Sequence, residues 1–230
     1  IVSDRFLTNH KTFDLKADLF DSFAKCMEIF DEPFAISSAF ALFFLSKLTK
    51  KDVSVVLSGD GGDEIFAGYS TKYGRDRILY KLNWIPKIIP KIALFFLSGY
   101  NKKTKYRSKK LVSYQRFVKY LSCSVDQAYI DSISTYSEKE KQMLFSKNFF
   151  KNSKVKSTFH VFERQYKRHK FNDFLQRRLY GDIKIQLPDE MLTKVDRMSM
   201  ASGLEARTPI LDHSFVQYVF NIDSKYKLYN

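Results

Sequence analysis

Residues 53–69, which read VSVVLSGDGGDEIFAGY, constrain the fold of this chain more than any other stretch. A short apolar, β-branched run through Leu57 predicts a strand that is buried on both faces of a parallel sheet. Glycines at 59, 61 and 62 then allow a tight turn, and a helix is predicted to begin near Asp63. In an open α/β sheet, ligands bind beyond the carboxyl ends of the strands, so this succession predicts a ligand site.

Negative charge distinguishes this turn from an ordinary phosphate loop. Asp60, Asp63 and Glu64 place three carboxylates within five residues, and these would repel a bare phosphate at a helix N-terminus. A phosphate bound here therefore needs magnesium, held by one or two carboxylates and by phosphate oxygens. The residues alone leave a second interpretation open, in which Asp63 and Glu64 only cap a helix and Asp60 makes an Asx turn. The stretch matches neither a P-loop nor an EF-hand loop.

The basic excess of the chain lies after this stretch. The formal net charge is +14, but residues 1–70 carry 7 basic and 11 acidic side chains, whereas residues 71–230 carry 32 and 14. The densest basic run, within residues 102–110, is interpreted as a solvated loop. Nucleic acid is therefore not a predicted partner, and binding of a tRNA or another polyanion is the rival hypothesis from a different class.

Cysteines and apolar segments indicate the compartment. Cys26 and Cys123 lie in apolar helical patterns without a CxxC motif, which predicts reduced core residues. The apolar stretches at 39–45 and 88–97 are too short to cross a bilayer. Because residue 1 is Ile and no signal peptide is present, we expect a piece of a longer cytoplasmic protein without a membrane partner.

Secondary-structure patterns change near residue 80. Helix and strand signals alternate before it and helix signals dominate after it, so we predict a partial α/β nucleotide-binding portion at 1–80 and a helical portion at 81–230. Capping boxes that start at Ser124 and Ser137 predict two helix N-termini. Pro188 is predicted to begin a new helix that ends near Gly203.

Three long motifs, in this order along the chain, resemble the asparagine synthase family. DEPFAISSAFALFFLSKLTKK is similar to the segment that leads into the first family signature, LSGDGGDEIFAGY to the SG-x-G-x-DE-x-F-x-GY nucleotide motif, and LPDEMLTKVDRMSMASGLEARTPILDH to the second signature. The resemblance covers nearly the whole chain. It implies an α/β fold of the adenine-nucleotide α-hydrolase type, here an incomplete parallel sheet with a large, mainly helical remainder.

The resemblance also implies an activity. Members of this family are ATP-dependent amidotransferases that adenylate a carboxylate, usually that of aspartate, release pyrophosphate and transfer ammonia from glutamine. ATP and Mg²⁺ are the implied cofactors, and an N-terminal glutaminase domain is the implied partner in the full-length chain. Two alternatives stay open, a relative that amidates a sugar or peptide carboxylate and a degenerate homologue that serves as a binding or scaffold protein.

Site residues follow from the resemblance position by position. It places Asp60 where an acidic residue assists proton transfer and Asp63 at magnesium and pyrophosphate. The residues implied to contact ATP are Leu57, Ser58, Gly59 and Gly61. Further candidates for the cleft are Glu64, Tyr69, Lys194, Asp196, Arg197, Glu205 and Arg207. We expect Glu205 and Arg207 to form a pair, either with each other or with Asp196 and Arg197, that fixes the second signature against the glycine turn. The alternative is that Arg207 reaches the substrate.

The sequence departs from the family pattern in several places. Asp60 stands where asparagine synthetases have Glu and many relatives have Asp, and Ile36 replaces an acidic residue. The SGG-x-DS pyrophosphate loop of the family does not occur in this sequence, nor do the glutaminase cysteine and the region that holds a catalytic lysine. We therefore expect the chain alone to be inactive and to form dimers or aggregates through an uncovered sheet edge.

Overall fold

The computed structural model of the chain describes residues 1–13, 19–32, 34, 36–103, 109–146, 148–149, 157–166, 170–171 and 173–228. It divides into two compact units. One consists of residues 1–62 and 186–217, and the other of residues 63–185 and 218–230. The sequence predicted a nucleotide-binding portion at 1–80 and a helical portion at 81–230. This division assigns roles to the two portions, and it stays a prediction.

Helices account for most of the described residues. In chain order they are α1 (Val2–Phe6), α2 (Leu19–Phe30), α3 (Ser38–Thr49), α4 (Gly62–Phe66), α5 (Ser70–Lys81), α6 (Ile88–Lys103), α7 (Lys109–Leu121), α8 (Val125–Ile133), α9 (Glu138–Leu144), α10 (Thr158–Tyr166), α11 (Phe174–Gly181), α12 (Thr193–Met200) and α13 (His213–Phe220). A π-helical segment, Asp182–Leu192, joins α11 to α12. Short 3-10 turns cover Pro209–Leu211 and Ser224–Tyr226.

The strands β1 (Val55–Leu57) and β2 (Glu205–Arg207) form a parallel pair in the first unit. Val55 lies opposite Glu205 and Leu57 opposite Arg207. The fold is thus a mostly helical α/β fold with a small parallel sheet, consistent with an incomplete nucleotide α-hydrolase-like domain, as the sequence predicted. The expected burial of β1 on both faces is wrong, because within the described residues β1 has one partner strand and the side chains of Val55 and Leu57 stay exposed.

The core of the first unit joins α2, α3 and α12. Its buried side chains are Cys26, Phe30, Ala39, Phe43 and Met198. Cys26 is a free thiol in this core, which confirms its predicted role. Burial of these apolar side chains removes them from water and so stabilises the packing of the three helices.

The second unit has three apolar clusters among its described residues. The first consists of Ala67, Tyr73, Leu175 and Leu179, the second of Tyr129, Ile130, Phe162 and Tyr166, and the third of Leu79, Tyr120 and Ala128. Cys123 packs half-buried against the third cluster as a free thiol. These clusters place α5, α8 and α11 around a common interior.

The expectation that Pro188 begins a new helix is wrong. Pro188 lies inside the π-helical segment between α11 and α12. A proline in an α-helix loses one hydrogen bond, and its ring clashes with the carbonyl group four residues earlier. The wider π turn, in which bonds span five residues, moves that carbonyl group away and lets the chain stay helical.

Other helix signals are confirmed. The Ser124 hydroxyl accepts a hydrogen bond from the Gln127 N–H at 3.1 Å, and Ser137 and Glu140 form a complete capping box. The interpretation of the basic run as a loop is wrong at both of its ends. Lys102 and Lys103 lie in the last turn of α6, and Lys109 and Lys110 lie in the first turn of α7. Residues 104–108 fall outside the described residues. In the part of the chain that is described, no helix has the length and apolar character needed to cross a membrane.

Candidate nucleotide-binding site

The glycine turn that follows β1 is fixed by the second strand and the residues after it. The Ser58 N–H donates a hydrogen bond of 2.7 Å to the Arg207 carbonyl oxygen, which extends the pairing one residue beyond β1. Gly61 has φ 90°, and a Cβ atom at this position would overlap the Leu211 side chain. Only glycine therefore suits this point of the turn, both for its backbone and for the space it leaves.

Asp60 is held at the turn by Ser58. The Ser58 hydroxyl donates to Oδ2 of Asp60 and accepts a hydrogen bond from the Asp60 N–H at 3.3 Å. This turn is made by the side chain of Ser58, which accepts the backbone N–H of Asp60, and not by the side chain of Asp60, as the second interpretation expected. The Asp60 side chain is half-buried, and its role in proton transfer stays a prediction.

Asp63 begins the second unit, in the first turn of α4, with its side chain exposed. Its carbonyl oxygen accepts a 3.0 Å hydrogen bond from the Gly68 N–H. A Cβ atom at Gly68 would overlap the Asp63 carboxylate in its present position, so a side chain at residue 68 would require the Asp63 side chain to move. Ala67 adopts φ 60°, which tightens this return of the chain.

Glu64 and Tyr69 form a hydrogen-bonded pair in the second unit. Glu64 is buried, and the Tyr69 hydroxyl donates to its Oε1 at 3.0 Å. Burial raises the pKa of Glu64, the charges of Asp182 and Asp63 add to this effect, and the hydrogen bond from Tyr69 opposes it. Burial also raises the pKa of Tyr69, with the negative charge of Glu64 next in size. Burial thus favours the protonated form of the Glu64 carboxyl group, whose pKa it raises.

A buried acidic residue that sequence reasoning missed lies in the same unit. Asp182 accepts hydrogen bonds from the Tyr73 hydroxyl at 2.6 Å, from the Lys72 ammonium at 2.8 Å and from the Tyr129 hydroxyl. The Lys72 ammonium also lies 5.4–5.5 Å from the ring centroids of Tyr69, Tyr73 and Tyr129. This cation is therefore held by one carboxylate and three aromatic rings.

Glu205 and Arg207 pair with each other, as one version of the prediction stated. Arg207 Nε donates to Glu205 Oε1 at 2.8 Å, and both side chains are exposed. Arg197 has a different partner, since its guanidinium donates to the Phe30 carbonyl oxygen at the end of α2. The attachment of the second signature to the glycine turn is thus made by the backbone of Arg207 and not by these charged side chains.

The remaining candidates lie on and beside α12. Lys194 Nζ is 3.5 Å from the Ser38 hydroxyl, Asp196 is exposed, and Ile36 is half-buried. Among the residues that the structure describes, no three His, Cys, Asp or Glu side chains converge into a metal-binding group. A magnesium ion here would need oxygen ligands from a bound phosphate in addition to a protein carboxylate.

Comparison with known proteins identifies the family. The asparagine synthase family model matches residues 1–230. The chain belongs to the asparagine synthase family. Asparagine synthetase (glutamine-hydrolyzing) 1 of Bacillus subtilis (strain 168) is 29% identical over 197 residues, which cover 85% of this chain and 28% of that protein. Asparagine synthetase (glutamine-hydrolyzing) 3 of the same organism is 26% identical over 223 residues, which cover 97% and 29%.

The chain spans under a third of the length of these two relatives. No solved structure matches it significantly. The family resemblance drawn from the three motifs is therefore confirmed by the match over the whole chain, whereas the roles of individual residues stay predictions.

Proposed function

We propose that this chain is part of an ATP-dependent amidotransferase that adenylates the side-chain carboxylate of aspartate and makes asparagine with ammonia from glutamine. Membership of the asparagine synthase family and the names of the two Bacillus subtilis relatives support this function. The structural observation that carries it is the SGDGGDE turn at the carboxyl end of β1, where α/β proteins bind their ligands.

The first half of the turn is proposed to bind ATP. Leu57, Ser58, Gly59 and Gly61 lie at the carboxyl end of a parallel strand, a place that suits a nucleotide. Asp60 is the proposed proton acceptor when ammonia attacks the activated carboxylate, because a carboxylate can take a proton directly. The Ser58 hydroxyl orients that carboxylate through the hydrogen bond that it donates.

Asp63 is the residue that would hold magnesium. Its exposed carboxylate fits an ion that takes one or two carboxylates and completes its coordination with phosphate oxygens and water. When bound, the ion would supply positive charge to the pyrophosphate leaving group. Gly68 keeps space for the Asp63 carboxylate, and the buried Glu64 with its Tyr69 partner fixes the following turn of α4.

The products of ATP turnover test this function. With glutamine as the source of ammonia, full-length protein should convert ATP to AMP and pyrophosphate only when a carboxylate acceptor is present, and aspartate should support the reaction. Formation of ADP and orthophosphate would overturn the proposal, since it would show transfer of the γ-phosphate.

Two alternatives have their own outcomes in the same assay. Turnover with a sugar or peptide carboxylate but not with aspartate would identify a relative with another acceptor. Asp60 and Ile36, which depart from the family pattern, would then be candidates for the change in acceptor. No turnover with any acceptor, from a folded full-length protein, would favour a binding or scaffold role.

A further inference from the structure

An ion pair between Lys72 and Asp182 lies in the interior of the second unit. Lys72 Nζ is 2.8 Å from Oδ1 of Asp182, whose side chain is fully buried, and only 16% of the Lys72 side chain is exposed. The fully buried Tyr73 and Tyr129 donate their hydroxyl protons to the same carboxylate. Replacing a buried ion pair by apolar side chains of similar volume often leaves a fold as stable or more so. Stability therefore does not by itself account for this pair.

Side-chain contacts connect this ion pair to α4. The Lys72 ammonium lies 5.5 Å from the ring centroid of Tyr69, and the hydroxyl group on that ring donates to Oε1 of Glu64 at 3.0 Å. Glu64 directly follows Asp63 in the first turn of α4. The contacts thus form an unbroken path from the buried ion pair to the residue next to Asp63.

The backbone makes the same connection. The Gly68 N–H donates to the Asp63 carbonyl oxygen at 3.0 Å, and the Ser70 N–H donates to the Gly68 carbonyl oxygen at 2.8 Å. Ser70 begins α5, which carries Lys72 in its first turn. A displacement of Lys72 is therefore expected to reach Asp63 through a short, hydrogen-bonded stretch of chain.

The buried carboxylates explain why the charge of Lys72 matters. Glu64 and Asp182 are both buried, and the charge of Asp182 adds to the rise in the pKa of Glu64 that burial causes. Carboxylates in a low-dielectric interior repel one another strongly unless a cation compensates them. Lys72 supplies such a cation. If that charge were lost, we expect the first turn of α4 to rearrange so that the carboxylates separate.

We propose that the Lys72–Asp182 ion pair is a positioning element, which holds the first turn of α4 where Asp63 can take a magnesium ion bound to pyrophosphate. This inference rests on the proposed function and deepens it. Groups behind a metal ligand orient that ligand, and their loss typically lowers metal affinity by roughly 10- to 100-fold. Because Asp182 is fully buried, it acts through other side chains and does not touch the ligand itself.

Binding of magnesium–pyrophosphate to the full-length protein tests the inference without turnover. Titration calorimetry measures the Kd for the parent and for Lys72→Met, which removes the charge and keeps a long side chain. We expect the Kd to rise by roughly tenfold or more. Lys72→Arg should recover most of the affinity, because a guanidinium also pairs with a carboxylate and stacks on aromatic rings. Unchanged affinity in Lys72→Met would overturn the inference.

A double variant shows whether Lys72 acts through Asp63. Asp63→Asn should itself raise the Kd by roughly tenfold or more, since it removes the charge that would hold magnesium. Adding Lys72→Met to Asp63→Asn should raise the Kd by no more than about twofold further, because the positioned carboxylate is already lost. Effects that multiply instead would show that Lys72 acts on pyrophosphate by another route, and they would defeat the inference.

Two controls separate positioning from a general loss of stability or charge. Leu79→Ala opens a cavity in the third apolar cluster and should lower the unfolding temperature without changing the Kd. Lys119→Met removes a lysine that pairs with Asp131 at 3.3 Å in the same unit, and it should bind as the parent does. If either control raises the Kd as much as Lys72→Met does, the effect is general and the positioning role is rejected.

Tyr69→Phe decides the matter if Lys72→Met does not fold. It removes the hydroxyl group that donates to Glu64 and keeps the ring beside Lys72. The Kd should rise by roughly threefold or more, in line with the loss of one hydrogen bond. An unchanged Kd would show that the path to α4 does not carry the effect, and it would overturn the inference.

The outcomes separate this inference from the proposed function. If the parent forms AMP and pyrophosphate while Lys72→Met and Tyr69→Phe bind magnesium–pyrophosphate as the parent does, the inference fails and the function stands. If the parent binds magnesium–pyrophosphate but forms no AMP with any acceptor, the function fails and the Kd values still decide the inference. If the parent does neither, both fail.

Discussion

The Ser58 N–H donates a 2.7 Å hydrogen bond to the carbonyl oxygen of Arg207. Ser58 directly follows β1 and Arg207 ends β2, so backbone pairing joins the glycine turn to the second family signature. The Arg207 side chain instead pairs with Glu205 in an exposed ion pair, a type of contact that contributes little to stability. Substitutions at Gly61, next to this junction, are therefore a sharper test of the turn than substitutions of the ion pair.

Gly61→Ala should lower the free energy of unfolding by about 2 kcal/mol or more. Gly61 has φ 90°, a region that costs other residues roughly 1–2 kcal/mol, and the added methyl group would overlap Leu211. Urea unfolding measures the loss. Gly59→Ala is the matched control, because a Cβ atom there meets nothing within 4 Å and should cost under about 1 kcal/mol. Equal losses in the two variants would contradict this account of the turn.

Asp63→Asn should lower the turnover of the full-length enzyme by orders of magnitude and leave its unfolding temperature nearly unchanged. The substitution removes the charge that would hold magnesium, but it changes an exposed side chain and not a core one. Steady-state formation of pyrophosphate and thermal unfolding are the two measurements. The control is Asp31→Asn, which should keep full activity. Asp31 is exposed, and its positive φ is one that both aspartate and asparagine tolerate. Parallel loss of activity and stability in Asp63→Asn would indicate a structural role instead.

The glycine turn could be predicted because its chemistry is local. The identities of Gly61, Asp63 and Gly68 decide the backbone over a few residues, and the family motif adds their roles. Asp182 could not be predicted, since its three partners lie 53 to 110 residues away along the chain and Asp182 occupies one position in an apolar helical pattern. Pro188 misled the prediction for a related reason, because the local rule for proline does not anticipate a π turn that accommodates it.

Two buried tyrosines should make the chain less stable in alkaline solution. Burial raises the pKa of Tyr73 and of Tyr129 in the folded chain, and the negative charge of Asp182 adds to the effect. Above about pH 10 the unfolded chain loses these phenolic protons while the folded chain keeps them, so the free energy of unfolding should fall as pH rises. Urea midpoints across this range measure the slope.

Tyr129→Phe tests whether these phenols cause the alkaline slope. The variant should be less stable by about 1–3 kcal/mol at neutral pH, because Asp182 loses a hydrogen-bond donor. Its stability should also fall less steeply above about pH 10 than that of the parent. Tyr218→Phe removes an exposed phenol and should leave both quantities unchanged. An unchanged alkaline slope in Tyr129→Phe would reject the explanation.

The isolated 230-residue chain should bind Mg-ATP weakly or not at all and should turn over no substrate. The phosphates of ATP are normally held by the backbone amides of a glycine loop, and the SGG-x-DS loop of the family is not in this sequence. Exposed Val55 and Leu57 on β1 should also favour self-association. Titration calorimetry with Mg-ATP and light scattering are the measurements. Micromolar affinity from a monomer would show that the proposed site is complete without that loop.

Glu64→Gln should stabilise the chain at neutral pH, on the order of 1 kcal/mol. Burial raises the pKa of Glu64 in the folded chain above that of a free glutamate side chain. At pH values between these two pKa values, the folded chain keeps a proton on Glu64 that the unfolded chain has lost. The free energy of unfolding therefore falls as pH rises through this interval. Glutamine cannot ionise, yet its side-chain oxygen can still accept the hydrogen bond from Tyr69. Urea unfolding from acidic to neutral pH should show a flatter profile for the variant, with the exposed Glu28→Gln as a control that keeps the parent profile. A full-length variant that is more stable but inactive would show that Glu64 serves the reaction and not the fold. A destabilised variant would show instead that the charge of Glu64 holds α4 in place.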